Sequence, residues 1–318
     1  MNDSIRKRRV AMIGIGDIAH KVYLPLLAHH EHAEVTGVMS RSEETVRRTV
    51  ERFRFQHGTT DVNELLSWGT EAVFVHSPTA THYEIVKACL QNGLSVYVDK
   101  PLSSDLSECR ELAALAESKG LLLAVGFNRR FAPMYPEAKA WMEEAGGFDQ
   151  AAACKHRTSQ QSSSSRETVF DDLIHMLDLL QWLGGDSWKP VQQQLEKNKE
   201  GRMLQASGVI DFGNSRYANY GMVRQSGTDL EKLELHGGGR SVEVANLEQA
   251  VLYEKGKPPV TKTFGSWDTI LERRGFAGAV NHFLECIPDP ERCTIRADLV
   301  MGSHELAARI ADNNEGEM

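Results

Sequence analysis

The chain has 318 residues, with 36 Lys+Arg against 44 Asp+Glu, a formal net charge of −8, 41% hydrophobic and 25% charged residues. That apolar fraction excludes disorder as the dominant state, and the acidic balance disfavours nucleic acid, whose affinity comes mainly from Lys and Arg at phosphates. The length suits two domains of about 150 residues, no apolar run reaches the roughly 18 residues of a membrane span, and the basic start before Val10 is too soon polar for a signal peptide. The five cysteines form no Cys-x-x-Cys pair, so free thiols in a reducing cytoplasm are expected.

In chain order, short apolar runs at Val10–Ile13, Val35–Met39, Ala72–Val75, Ser95–Val98 and Leu121–Val125 do not alternate with polar residues. They predict parallel strands buried on both faces. Between them Ile18–Ala28, Ser42–Phe53, Tyr83–Gln91 and Leu106–Ser118 read as helices. Asn92-Gly93 and Lys119-Gly120 supply C-caps. The rhythm predicts a doubly wound α/β sheet over residues 1–126.

Residues 127–318 change character. Ser159–Ser165 is a polar, Ser-rich loop. A helix is predicted from Phe170 to Trp182, closed by Gly184-Gly185. Extended segments follow at Gln205–Phe212, Arg216–Val223, Lys232–Leu235, Val242–Val244 and Ala250–Tyr253. Adjacent strands with tight turns predict an α+β domain on an open, mainly antiparallel sheet. Late helices are expected at Gly278–Cys286 and Ala297–Ala311, the last one packing back on the first domain, with the final six residues frayed.

Gly14-Ile15-Gly16-Asp17-Ile18-Ala19 follows the first strand and opens the first helix. Gly14 permits the tight turn, Gly16 the approach of a pyrophosphate, and Ala19 close packing of helix on strand. The anion would sit on the free N–H groups of the helix N-terminus, so Gly14, Gly16, Asp17 and Ile18 are candidate dinucleotide contacts. The second strand ends Met39-Ser40-Arg41, with no acid at its tip to hold a ribose 2′-hydroxyl. Arg41 would pair with a 2′-phosphate where a carboxylate would repel it. Ser40 and Arg41 therefore favour NADP over NAD. The alternative is a solvated Arg41 with Glu43 or Glu44 on the ribose. His29-His30-Glu31-His32 ends the first helix, where His suits the dipole. It lacks a second ligand set, and no metal is expected.

Three further stretches, Val98-Asp99-Lys100-Pro101, Asp171-Asp172-Leu173-Ile174-His175 and Gly126-Phe127-Asn128-Arg129-Arg130-Phe131, stand with the glycine loop and His76-Ser77-Pro78-Thr79. Together they resemble the Gfo/Idh/MocA oxidoreductases over nearly the whole chain, and within them the MviM-like bacterial subgroup. The resemblance implies a Rossmann domain, a substrate domain that also pairs chains into dimers or tetramers, and Lys100 at the nicotinamide ribose and the reacting hydroxyl. Asp99 stands where the family usually has Glu, a shorter carboxylate arm. A Lys at a strand's carboxyl end points into the ligand crevice, where its ammonium can stabilise alkoxide charge or move a proton. The Lys100–Pro101 bond is expected to be cis.

Asp171 and His175 are four apart, which on a helix gives one face. Taken alone, that spacing fits a structural Asp–His pair as well. The resemblance makes His175 the acid/base on the substrate hydroxyl and Asp171 its support. It also places Ser77, Pro78 and His82 along the cofactor. Asn128 and Arg157 are candidate substrate contacts; the Lys155-His156-Arg157 run reads either as a basic patch for an acidic substrate or as a solvated strand edge. The expectation is a reversible dehydrogenase acting on a sugar, cyclitol or related polyol. A non-catalytic NADP-binding sensor, an NAD-dependent glycosidase-like enzyme and a protein-interaction role are the rivals.

Overall fold

A computed structural model describes residues 7–312. The expected fraying at the C-terminus concerns residues 313–318, outside that range. Two compact units emerge: residues through Phe127 together with Phe276–Met301, and Asn128–Gly275 together with the chain from Gly302. No helix among the described residues is long and apolar enough to cross a membrane.

The first unit runs β1 (Arg8–Ile13), a wide helical turn at Ala19–Tyr23 continuing into α1 (Leu24–Ala28), β2 (Ala33–Met39), α2 (Glu43–Phe53), β3 (His57–Thr59), α3 (Val62–Leu66), β4 (Ala72–Val75), α4 (His82–Gln91), β5 (Ser95–Val98), α5 (Leu106–Ser118) and β6 (Leu123–Val125). The strands lie in the order β3-β2-β1-β4-β5-β6, every pair parallel. This is the doubly wound order, with its crevice beyond the carboxyl ends where the order reverses. Every residue of β4 and β5 is buried, which explains their unbroken apolar runs. Ser42 caps α2 through the Thr45 amide, and Asp105 caps α5 through the Ser107 amide. Gly93 and Gly120 take the positive φ the C-caps need. β3 was not among the expected runs: three residues, two of them exposed, carry no apolar signal.

The second unit contains α6 (Met134–Glu143), β7 (Gln150–His156), α7 (Ser165–Thr168), a wide turn at Val169–Leu173, α8 (Ile174–Gly184), β8 (Lys189–Lys197), β9 (Met203–Asp211), β10 (Tyr217–Val223), β11 (Leu230–Gly237), β12 (Arg240–Ala245), β13 (Gln249–Glu254), β14 (Val260–Thr263) and α9 (Ile270–Arg273). The eight strands are ordered β14-β13-β12-β11-β7-β10-β9-β8. Only the β7–β10 pair is parallel. β8 and β14 escape the sequence pattern because both are edge strands and mostly exposed, with single-sided or no apolar content. An α/β unit followed by a mainly antiparallel sheet is the fold class the sequence predicts.

After α9 the chain returns to the first unit through α10 (Phe276–Cys286) and the turn that follows it. α11 (Met301–Asp312) belongs almost wholly to the second unit. α10, the helix before the last, is the one that clusters with the first unit. Ser303 on α11 donates to Asp178 and Gln181 of α8, and Gly302 lets the helix approach Gln181 and Trp188. α11 also starts at Met301, not Ala297, because 297–300 are held beside β6 by the Ala297 N–H to Leu123 bond.

Candidate active site

β1 ends at Ile13 and the chain turns at Gly14, whose φ is 90°. A Cβ there would lie 2.4 Å from the Ser77 backbone nitrogen and 2.5 Å from the His76 carbonyl carbon. The loop is thus pressed against the turn after β4, and only glycine fits. At Gly16 a Cβ would meet nothing within 4 Å; the backbone there is open to a ligand. Ile15 and Ala19 are buried, while Asp17 is exposed and pairs with Lys21 at 2.7 Å. A bare, outward-facing backbone at a helix start fits a dinucleotide pyrophosphate.

At the end of β2, the Ser40 amide donates to Thr59 at 3.2 Å. Arg41 is exposed and makes no ion pair among the described residues. His20, Thr45, Arg48 and Arg52 line a cavity of about 700 Å³. Burial and the Arg52 guanidinium hold His20 below the ordinary imidazole value.

β5 delivers Asp99 and Lys100, and the Lys100–Pro101 peptide is cis, as expected. The Lys100 amide donates to Asp99 Oδ1 at 2.8 Å. From the neighbouring β4, His76 brings Nδ1 to 3.9 Å from Asp99 Oδ2, its side chain fully buried and stacked 3.8 Å from the Tyr23 ring. Phe74, Tyr97 and Phe283 complete the aromatic floor. Burial raises the Asp99 carboxyl, but His76 and the Lys100 ammonium outweigh it and hold it below the usual range. The carboxylate therefore stays ionised beside Lys100.

In the second unit the Ser-rich loop is tied down. Ser164 and Glu167 form a capping box that starts α7, and the Ser165 amide donates to Gly201. The helix then widens over Val169–Leu173, with the Ile174 amide reaching Val169. Such single wide turns often mark functional positions. Asp171 sits inside it, exposed, accepting from Gln161 Nε2 at 2.8 Å. His175 follows on α8 with 6% exposure.

Between them in sequence, Asp172 turns inward. It pairs with Lys155 and Arg224, and with Arg157 Nε at 3.6 Å. Burial would raise its carboxyl; Lys155, Arg157 and Arg224 pull it well below the carboxylate range. Burial, with Arg129 next to it, pushes Lys155 down to about 8. Arg129 in turn grips Glu231 with two bonds, at 2.9 and 3.1 Å. Burial opposes ionisation of Glu231, yet Arg129 draws it down to about 2. Arg130 binds Asp178 in the same forked way.

Two family models match: an oxidoreductase family with an NAD-binding Rossmann fold over residues 8–127, and a YceM-like C-terminal domain over 133–255. The putative oxidoreductase YceM of Salmonella typhimurium is 34% identical over 284 residues, covering 89% of this chain and 90% of that protein. The chain belongs to the Gfo/Idh/MocA oxidoreductase family. Its structure is similar to that of a dehydrogenase (MviM) from Clostridium difficile, at 33% identity and TM-score 0.89, covering 96% and 99% of the two chains. The scyllo-inositol 2-dehydrogenase (NAD(+)) of Bacillus subtilis is 26% identical over 303 residues, 88% and 86% of the chains. The fold is shared by the 3-ketoreductase KijD10 of Actinomadura kijaniata, solved with NADP, at 20% identity and TM-score 0.82, covering 96% and 97%.

As a Gfo/Idh/MocA oxidoreductase the protein uses a nicotinamide cofactor, and the MviM-like resemblance holds. Several residues singled out in the sequence take other places. His82 is buried, and its two ring nitrogens face the Pro101 and Ser77 carbonyls, both at 2.9 Å. It stands between the turns that carry Lys100 and Ser77, where a neutral imidazole donates to one of the two carbonyls. Asn128 is also buried; its amide donates to the Arg274 carbonyl and accepts from the Arg129 side chain. Lys155 is not on a solvated edge: β7 is interior to the sheet, between β11 and β10. Arg157 keeps partial exposure, and Ser77 and Pro78 lie at the open side of the turn. Sequence reasoning passed over His76 and Asp172. Asp99 in place of Glu was the available signal for His76, since a shorter arm leaves room for the ring. Nothing distinguished Asp172 from Asp171 except a helix phase that the wide turn alters.

Proposed function

We propose that the protein is a dehydrogenase or reductase that interconverts a hydroxyl and a carbonyl on a sugar, cyclitol or related polyol, with NADP preferred over NAD. The observation that carries this reading is the Asp99-Lys100 turn after β5, one strand beyond the β4 turn that packs on the glycine loop: an ammonium at the carboxyl end of a crevice strand, next to a carboxylate that remains ionised. When bound, the nicotinamide supplies the hydride acceptor or donor. Gly14 and Gly16 hold the backbone clear for the pyrophosphate. Ser40 and Arg41 receive the adenosine ribose, and Arg41, exposed and without an ion pair, suits a 2′-phosphate. Ser77 and Pro78 flank the cofactor.

Lys100 stabilises oxyanion charge at the reacting carbon and moves the hydroxyl proton. His175 is assigned to acid/base work on substrate, with Asp171 orienting it. Arg157, just past β7, is the proposed substrate contact. Relatives named for inositols, such as the Bacillus subtilis enzyme, support the polyol class. A cytoplasmic homodimer or homotetramer is part of this proposal, since the eight-stranded sheet keeps apolar side chains such as Val191, Tyr217 and Tyr253 exposed.

The test is a screen of cyclitols, sugars and sugar nucleotides with each cofactor, followed by absorbance of the reduced nicotinamide. Turnover is expected with at least one polyol. Lys100→Ala should lower kcat by about 10²–10⁴-fold while cofactor still binds. Cofactor binding without turnover of any polyol, and a biological phenotype untouched by Lys100→Ala, would move the reading to a sensor.

A further inference from the structure

Three metal-ligating side chains meet on the segment that returns to the first unit. His282 and Cys286 lie four apart on α10, hence on one face of the helix. Cys293 follows the short turn Pro290–Arg292. The ligand atoms of the three all lie within 4.8 Å of one another, and Cys286 Sγ is 3.9 Å from each His282 ring nitrogen. A tetrahedral zinc ion, with Zn–S of about 2.3 Å and Zn–N of about 2.0 Å, sets its ligands about 3.5–3.8 Å apart. The group thus needs only small side-chain adjustments to close on an ion.

Its chemistry is selective. Two sulfurs and an imidazole suit a soft or borderline ion and reject calcium and magnesium, which require oxygen. Cys286 and Cys293 are 2% and 0% exposed, while His282 is partly exposed and gives the group its access to solvent. Thr294 donates its amide to His282 Nε2 at 2.9 Å, and its hydroxyl lies 3.1 Å from the same nitrogen. With a metal on Nδ1, Nε2 would carry the proton and could donate to that hydroxyl, the outer bond that fixes a metal-bound histidine. The Thr294 amide would give up its present acceptor.

The position gives such an ion a purpose. Next to His282 on α10, Phe283 packs against Phe74 and Tyr97 at 5.3 and 5.5 Å. Beyond Cys293 the chain pairs with β6, the Val125 amide donating to Ile295 and the Ala297 amide to Leu123. A link between α10 and Cys293 joins the helix under the aromatic floor to the segment that covers the edge of the parallel sheet. We propose that His282, Cys286 and Cys293 bind one zinc ion, which staples α10 to the stretch that follows it within the nucleotide-binding unit.

The experiment uses the untagged full-length protein, stripped of metal under reducing conditions and titrated with Co²⁺ as a spectroscopic probe. One Co²⁺ per chain is expected, with thiolate-to-cobalt charge transfer and tetrahedral d–d absorption, both displaced by Zn²⁺. Zinc should also raise the thermal midpoint. Cys286→Ala and Cys293→Ala should each weaken binding on the order of a hundredfold or more and abolish that rise. His282→Gln should weaken binding but keep a thiolate band. Unchanged NADPH affinity in each variant shows that it folds. A titration without a thiolate band overturns the proposal, as does a band that both Cys variants retain, which would place the ion on other thiols. A Cys286–Cys293 disulfide in protein prepared without reductant, together with no metal uptake once reduced, overturns it equally.

Discussion

The two charged regions assigned to function are built in opposite ways. At the carboxyl ends of β1, β4 and β5 the protein arranges backbone: a glycine that fits nowhere else, an open glycine beside it, and Lys100 anchored through its own amide to Asp99. In the second unit it arranges side chains. Lys155 of β7, and Arg157 and Arg224 just past β7 and β10, all converge on the Asp172 carboxylate of the wide turn. The first region leaves polar groups available for a ligand. The second consumes most of its charge internally and leaves Arg157, Asp171 and His175 as the residues with a chemical task to propose. A local motif is a statement about backbone, and a buried network is a statement about topology.

The largest effect should come from breaking the network. Asp172→Ala strands buried cations, and a loss of about 3–5 kcal/mol of unfolding free energy is expected in urea titrations. A loss under 1 kcal/mol would mean that the cluster is solvated and that the contrast between the regions fails.

Acid should act on the same network. Glu231 and Asp172 have carboxyls held below their unfolded values, so they contribute stability above pH of about 5. That stability drains away as pH falls through about 4 toward about 2, because the unfolded chain takes up protons first. Glu231 alone accounts for up to about 3 kcal/mol of this fall. Glu231→Gln should therefore flatten the acid limb of a stability–pH profile; an unchanged limb would show that Arg129 does not hold this carboxyl down.

Smaller effects on stability, with larger ones on binding, belong to the first region. Gly14→Ala forces a side chain onto the Ser77 amide at a φ of 90°. A loss of about 1–3 kcal/mol is expected, with dinucleotide binding abolished in fluorescence titrations. Smallest of all, Asp17→Ala removes only an exposed pair with Lys21, and its denaturation midpoint should not move measurably.

The same contrast explains what could be read in the sequence. The parallel strands were legible because burial on both faces leaves unbroken apolar runs, as in Val73–Val75. The glycine loop and the Lys-Pro turn were legible because each requires particular residues at fixed spacing. β3, β8 and β14 were not, since edge strands carry little apolar pattern. The intramolecular partners of His82 and Asn128 were not legible, because both residue types serve ligands and carbonyls alike and only the fold shows which protein groups stand beside them. Asp172 was hidden by the wide turn at Val169–Leu173, which breaks the 3.6-residue phase on which the Asp171–His175 argument rests.

The most direct test of the account is a pair of nicotinamide fluorescence titrations, NADPH and NADH, on nucleotide-free wild-type protein and on Arg41→Ala. Tighter binding of NADPH is predicted, with the preference reduced about tenfold in the variant and NADH affinity unchanged, as expected for one lost charge-assisted contact. Binding of neither cofactor by the wild-type protein would contradict the dehydrogenase reading at its base.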